Sequence, residues 1–345
     1  MEVSSKLQDI WRGRGLLATL LLPLSGVFAL SAALRRALYR LGILQSVQLP
    51  VPVVVVGNIT VGGSGKTPLT LWLAQQFQQR GRHPGIISRG HGGELHSGQV
   101  REVHADSPAR DVGDEPLLLK RRSGLPMFVG QDRVAVAKAL LASYPECDLI
   151  LSDDGLQHYR LARDVEIAVV DARGLMNGWM LPAGPLPEPP RRLRGVDALV
   201  LNGRVTLPIS GIAVFQMNLA GDTFYALANA SQTCTAPALS GLKLAAIAGI
   251  GFPQRFFDHL AGLGLNFSEH AFPDHHRYLA GDLSAIDAEA FLMTEKDAVK
   301  CSGLTERPVW VMPVMAQVAP AQSGSDLATH VEQCIREKPH GRPPA

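Results

Sequence analysis

A run of β-branched residues, VPVVVVGN at 51–58, leads without a break into the glycine-rich stretch ITVGGSGKTP and then into PLTLWLAQQFQQRG, whose apolar positions recur at helical spacing. A strand buried on both faces, a turn that needs several glycines and an amphipathic helix are the parts of one βα unit. Such a unit constrains its surroundings, because the strand needs parallel neighbours and the helix needs a sheet to cover. Those neighbours follow in the chain. Apolar runs at 84–88, 127–130, 147–154, 165–172 and 196–203 alternate with helical patterns at 116–122 and 133–141. The expected fold class is α/β with a parallel sheet and flanking helices.

Strands resume near 212–217, 224–228 and 242–251, a helix follows at 253–263 and a strand at 290–294, and Leu327, Val331, Cys334 and Ile335 mark a last amphipathic helix. Three parts are therefore expected: an apolar helical segment at 1–45, a nucleotide-binding core at 46–205, and a smaller second α/β unit at 206–345 ending in a frayed KPHGRPPA tail. With 46% apolar and 19% charged residues, the chain is neither a disordered polymer nor a polytopic membrane protein. Its 33 Lys+Arg against 31 Asp+Glu, a formal +2, give no general affinity for nucleic acid. Cys147, Cys234, Cys301 and Cys334 form no C-x-x-C pair, so they read as buried small residues in a reducing compartment.

Between Arg14 and Arg35 lie twenty uncharged residues, long enough as a helix to cross a hydrocarbon core. A cleaved signal would carry the nucleotide motif to a compartment without ATP. Lys6, Arg12 and Arg14 on one side balance Arg35, Arg36 and Arg40 on the other, so no span orientation is set. With Pro23 and Gly26 inside it, the segment reads best as a helix lying in, or half inserted into, a membrane surface.

The segment GNITVGGSGKTP (57–68) misses the strict G-x-x-x-x-G-K-[ST] phosphate loop by one position, Thr60 standing for the first glycine. Its place between strand and helix is that of a P-loop NTPase. Backbone amides over Thr60, Val61, Gly62, Gly63, Ser64 and Gly65 can converge on the phosphates of ATP, Lys66 can reach the β- and γ-phosphates, and the Thr67 hydroxyl can ligate Mg²⁺. The metal also needs a carboxylate at a neighbouring strand end. Asp153 is the better candidate and Asp171 its rival.

Phosphate loops serve switches and kinases alike. No guanine-reading [NT]-K-x-D element is present, TEKD (294–297) placing its lysine one position too late. Extra acids and histidines occur instead in VGDEPLLL (112–119) and FPDHHRY (272–278). A carboxylate oriented by histidine is a suitable base for an attacking hydroxyl, although solvated turn residues would look the same in sequence.

These segments, with SRGHGG (88–93), VGQDR (129–133), DDGLQH (153–158), PAGPL-x-EP (182–189), AGIGFP (248–253) and TEKDAVK (294–300), closely resemble the tetraacyldisaccharide 4′-kinases, the lipid A 4′-kinase family of Gram-negative bacteria. The resemblance implies an enzyme that moves the γ-phosphate of ATP to the 4′-hydroxyl of tetraacyldisaccharide 1-phosphate at the cytoplasmic face of the inner membrane. It implies no protein partner. By the same resemblance Asp114 is the general base, and a histidine of FPDHH assists it, His276 in preference to His275. Asp153 and Asp154 serve metal and phosphate, while Glu115, Arg133, Gln157, His158, Glu188 and His91 shape the acceptor site. Two positions depart from the family pattern: His91 replaces a usual tyrosine, and Pro187 a usual arginine. A membrane-tethered nucleotide switch and a kinase of another glycolipid are the alternative readings.

Overall fold

The computed structural model describes residues 5–96, 98–321, 324–338, 340 and 341. In chain order the elements are α1 (Ser5–Trp11), α2 (Leu16–Leu20), α3 (Leu22–Arg40), β1 (Val53–Gly57), α4 (Lys66–Gln79), β2 (Pro84–Ser88), β3 (Val100–Glu102), α5 (Ala109–Val112), α6 (Asp114–Ser123), β4 (Met127–Gly130), α7 (Arg133–Ser143), β5 (Leu149–Asp153), β6 (Val165–Asp171), β7 (Ala198–Asn202) and β8 (Ala213–Ala220). Then come β9 (Thr223–Ala226), β10 (Asn229–Thr235), α8 (Ala236–Leu239), β11 (Leu244–Ala248), α9 (Pro253–Gly262), β12 (Phe267–Ala271), α10 (Ala280–Ser284), β13 (Ala290–Thr294), α11 (Glu295–Ala298), β14 (Val309–Met312), β15 (Met315–Val318) and α12 (Leu327–Glu337).

Nine strands form one sheet in the order β15-β8-β7-β6-β1-β5-β2-β4-β3, parallel from β8 through β4 and antiparallel at both edges. β1 lies at its centre, and its valines alternate between the two cores: Val54 and Val56 face α4 and α12, whereas Val53 and Val55 face α7. Six strands form a second sheet, β10-β9-β14-β13-β11-β12, parallel around β13 and β11.

The division near residue 205 is corrected by this topology. The first sheet runs on through β8, the chain then builds the whole second sheet, and β15 and α12 return to the first. β8 pairs with β7 because Phe215 and Met217 alternate inward along it, which extends the apolar face of the sheet by one strand. The tail is not frayed at His340, whose ring nitrogens reach Asp164 Oδ1 at 2.7 Å and the Leu49 carbonyl at 2.9 Å. Lys338 pairs with Asp197 and the Gly341 N–H donates to Asp164 Oδ1 at 2.8 Å, and only residues 339 and 342–345 of that tail lie outside the described residues.

The apolar N-terminal segment is three helices rather than one. Gly13–Gly15 and a turn at Leu21 interrupt it, and Pro23 sits in the first turn of α3, where its missing N–H costs nothing. One side docks on the loop 177–183: Trp11 Nε1 donates to Pro182 O at 2.9 Å, and Ser25 Oγ donates to Met180 O at 2.7 Å. Leu16, Leu17, Leu20, Leu24, Val27, Leu30 and Leu34 stand exposed. No helix among the described residues is long and apolar enough to cross a membrane. All four cysteines are free thiols, three of them buried.

Candidate active site

Parallel strands put their carboxyl ends on one edge, and ligands bind α/β sheets beyond that edge. Here the edge carries the loops after β1, β2, β4, β5 and β6, and the corresponding edge of the second sheet, after β11, β12 and β13, faces it across a cleft. The register Val56↔Asp153 sets the carboxylate of β5 beside the start of the glycine loop.

The loop itself is held from behind. Asn58 Nδ2 donates to Gly62 O, Arg173 Nη2 to Gly63 O and Asn202 Nδ2 to Ser64 O, at 3.0, 3.1 and 2.8 Å. The Val61 amide is already spent on Pro185 O at 3.0 Å, so that predicted phosphate contact is not free. The amides of Gly62, Gly63, Ser64 and Gly65 meet no acceptor among the described residues, and the buried hydroxyls of Thr60 and Ser64 are also unpartnered. Gly65 needs to be glycine, with φ +96° and a would-be Cβ only 2.4 Å from Asn202 Nδ2. Thr67 lies in the first turn of α4.

Lys66 Nζ stands 3.4 Å from Asp154 Oδ1. Burial opposes its charge, yet Asp154, Glu115 and Asp153 outweigh burial and keep the ammonium above the usual lysine range. Crowding of the turn likewise pushes Asp154 up, and Lys66 more than offsets it, leaving that carboxyl low. Asp153 behaves oppositely. It is wholly buried, accepts one hydrogen bond from Thr70 Oγ1 at 3.1 Å and leaves Oδ2 without a partner. Burial and the nearby charges of Glu115 and Asp154 raise it to about 7. A buried carboxylate oxygen at the strand end beside the glycine loop, unpaired and destabilised when ionised, is what a divalent cation would relieve. The rival Asp171 is occupied by Arg173, Oδ2 to Nη2 at 2.8 Å. No cluster of three or more His, Cys, Asp or Glu side chains suited to a metal occurs among the described residues.

On the first sheet's side of the cleft, Asp114 opens α6 and is almost fully buried. It meets His275 Nδ1 at 3.1 and 3.0 Å from its two oxygens. The preference for His276 is corrected: His276 Nε2 instead faces Asp282 Oδ2 at 3.0 Å, turned away from Asp114. His275 reaches Asp114 because its own backbone is left-handed, φ +60°, which swings the side chain out of the FPDHH turn. Burial pushes Asp114 up, but the His275 hydrogen bond and Lys296 overcome this and draw it down to about 2. His275 moves the other way, its affinity for a proton raised by Asp114 against burial and Lys296.

The remaining predicted residues divide into two groups. Glu115 joins Asp114 on α6 and pairs with Lys296 at 2.9 Å, and His91 lies edge-on to the His275 ring at 5.1 Å. Arg133 is buried, donates from Nη1 to Gly130 O at 2.6 Å and leaves Nε and Nη2 unpaired, burial lowering it to about 10. His158, beside Arg133 and Arg89, is driven to about 3 by burial and those cations, so it is neutral at physiological pH. Gln157 and Glu188 sit further out: Gln157 Nε2 donates to Glu188 Oε2 at 3.3 Å, and the Tyr159 hydroxyl donates to Glu188 Oε1. A crevice of about 510 Å³ runs from Glu188 and Arg191 along Ala29, Ala33 and Arg36 of α3.

Four further residues were not singled out in sequence. Lys296 and Lys300 follow β13, and Arg173 and Arg255 brace the glycine loop, Arg255 by donating from Nη2 to Asn202 Oδ1 at 2.8 Å. A signal for Lys296 lies in TEKD, whose Thr294 and Asp297 form a helix-start capping pattern directly after a strand, whereas nothing local marks Arg173 or Arg255.

A sequence model of the family described as Tetraacyldisaccharide-1-P 4'-kinase matches residues 17–332. The tetraacyldisaccharide 4'-kinase of Azoarcus sp. (strain BH72) is 53% identical over 97% of this chain and 96% of its own length. That of Dechloromonas aromatica (strain RCB) is 52% identical over 88% and 89%. The crystal structure of LpxK from Aquifex aeolicus in complex with ATP superposes with a TM-score of 0.79 at 28% identity, covering 93% of this chain and all of that one. With a glycine loop, its buried carboxylate and an opposed Asp–His pair in a matching fold, the chain belongs to the tetraacyldisaccharide-1-P 4'-kinase family.

Proposed function

We propose that the chain is an ATP-dependent lipid kinase that phosphorylates the 4′-hydroxyl of tetraacyldisaccharide 1-phosphate. The observation that carries this reading is the Asp114–His275 pair, 3.0 Å apart and joining the two sheets at their facing edges, since a nucleotide switch has no use for a buried base there. Asp114 accepts the proton of the acceptor hydroxyl, and His275 holds that carboxylate in line by donating from Nδ1. The free amides of 62–65 and the Lys66 ammonium receive the phosphates. Asp153 and Thr67 would hold Mg²⁺, which neutralises phosphate charge during transfer. Arg133, with two unpaired guanidinium nitrogens, offers a further anion contact.

The exposed leucines of α2 and α3, with Arg35 and Arg40 at the end of the segment, suit the surface of an anionic membrane, and a crevice opens between α3 and Glu188 beside that surface. Docking at that surface lets a four-chain lipid present its sugar without leaving the bilayer, an exit that would cost about 0.8 kcal/mol per CH₂. The working location is then the cytoplasmic face of the inner membrane.

The test is transfer of ³²P from γ-labelled ATP to tetraacyldisaccharide 1-phosphate in mixed micelles. Labelled lipid from the native chain, at least about a hundredfold less from Lys66→Ala, Asp114→Asn and His275→Ala, and a much milder loss from His276→Ala are expected. ATP hydrolysis without labelled lipid would reject the reading.

A further inference from the structure

Asn202 is the last residue of β7 and is completely buried. Its side chain bridges the two halves of the molecule. Nδ2 donates to Ser64 O of the glycine loop at 2.8 Å, and Oδ1 accepts from Arg255 Nη2, also at 2.8 Å. Arg255 lies in the first turn of α9, the helix that carries Phe256, Phe257 and Leu260 into the core of the second sheet. A guanidinium only donates and a peptide carbonyl only accepts, so these two neighbours leave the carboxamide a single orientation. Asp171 is near enough to act on the charge of Arg255, but its carboxylate is engaged by Arg173, Oδ2 to Nη2 at 2.8 Å. The hydrogen bond that places the Arg255 guanidinium is therefore the one to Asn202.

The loop side of this bridge has a geometric consequence. In a planar trans peptide the C=O and the following N–H point in opposite directions. With Ser64 O drawn onto Asn202, the Gly65 N–H is turned away from it, and that N–H meets no acceptor among the described residues. The packing is close, since a Cβ on Gly65 would come within 2.4 Å of Asn202 Nδ2. Asn58 and Arg173 hold Gly62 O and Gly63 O from within the first sheet's own loops, whereas the holder of Ser64 O is itself held by the second sheet. The segment before Arg255 meets the loop again: a Cβ on Gly251, between β11 and α9, would lie 3.2 Å from Gly63 N.

We propose that Asn202 is a positioning residue for phosphate transfer, which passes the placement of α9, through Arg255, to the Ser64–Gly65 peptide, so that the glycine loop is aimed at the phosphates only while the second sheet is docked on the first. The inference rests on the kinase reading and adds to it a control over where the phosphates sit. Without Arg255 the carboxamide is free to turn its oxygen towards Ser64 O. Two acceptors then face one another, the peptide rotates, and the Gly65 N–H loses its aim.

The experiment is a double-mutant cycle in the full chain, read by calorimetric titration with ATP and Mg²⁺ and by kcat and KM in the micelle assay. Arg255→Met keeps most of the side-chain length and removes every donor. It should weaken ATP binding about tenfold and raise KM for ATP in step, with KM for the lipid within about twofold. In an Asn202→Leu background, itself weakened about tenfold, Arg255→Met should cost less than about a further twofold, because the arginine acts through the amide. Arg255→Lys, which keeps a donor, should bind ATP within about threefold of the native chain. An equal cost of Arg255→Met in both backgrounds, the mark of a merely structural role, overturns the proposal, as does an unchanged ATP affinity in Arg255→Met. Should Asn202→Leu fail to fold, the contrast between Arg255→Met and Arg255→Lys decides alone, equal losses in the two overturning it. Failure of the kinase reading would appear separately, as absence of labelled lipid from the native chain, since the calorimetric cycle reads binding without transfer.

Discussion

Replacing Asp153 by asparagine should stabilise the free protein while disabling its phosphate site. Asp153 is wholly buried, has one oxygen bonded to Thr70 and the other to nothing, and is displaced from an ordinary 3.8 to about 7. Because the folded state holds the proton more tightly than the unfolded chain, folding stability declines as pH climbs from about 4 to 7, then levels. Over that window the ionised form costs about 4 kcal/mol. Asparagine keeps an oxygen for Thr70 and escapes the ionisation cost, so a gain of about 2 to 4 kcal/mol at pH 8 is expected, or about 3 to 6 °C in Tm for a chain of this length. Thermal melts followed by circular dichroism at pH 5 and pH 8 test this, the gap between variant and native protein being larger at pH 8. Adding ATP with Mg²⁺ should raise the native Tm and leave that of Asp153→Asn nearly still. An asparagine variant that melts at or below the native temperature at pH 8, or a gap that does not narrow at pH 5, would refute the electrostatic argument.

Gly65→Ala forces a Cβ to within 2.4 Å of Asn202 Nδ2 at a left-handed φ, so nucleotide affinity should fall at least about tenfold in calorimetric titration while the far-ultraviolet spectrum stays native. The triple change Leu17→Asn, Leu20→Asn, Leu24→Asn removes three exposed apolar side chains that the docked face of the N-terminal helices does not use. At about 1.5 kcal/mol each, vesicle binding in a flotation assay should drop at least a hundredfold, and ATP binding should not change.

The parts of this molecule that announce themselves in sequence are those with strong local signals. Four consecutive valines, the glycine loop and strand ends at Asp153 and Asp171 are legible because burial on both faces demands unbroken apolar runs. The elements missed are short or lie at edges. β3, VRE, and β10, NASQTCT, carry little apolar pattern because one or both faces meet solvent. β15 is four residues long, and nothing local in MAQV says that it pairs with a strand nearly a hundred residues earlier. Within the site, the types of residue were readable but their directions were not. His275 and His276 are neighbours in chain, and only the left-handed turn at the first decides which meets Asp114. The role of Lys296 is silent in sequence because its partners Glu115 and Asp274 come together only after both sheets have formed.

The chain leaves the first sheet at Ala220 and re-enters it at Met315, residues that oppose one another in the β8–β15 ladder. During synthesis the host is thus interrupted by its guest. A nascent chain that has emerged to residue 312 already holds every strand of the six-stranded sheet, while the nine-stranded sheet still lacks its edge strand and the helix that carries Leu327, Val331 and Cys334 into its core. For that interval β8 is an open edge and one face of the larger core is bare, a state prone to edge-to-edge pairing. Chains cut short after the second sheet would remain in that state, so closure of the larger core waits on β15 and α12.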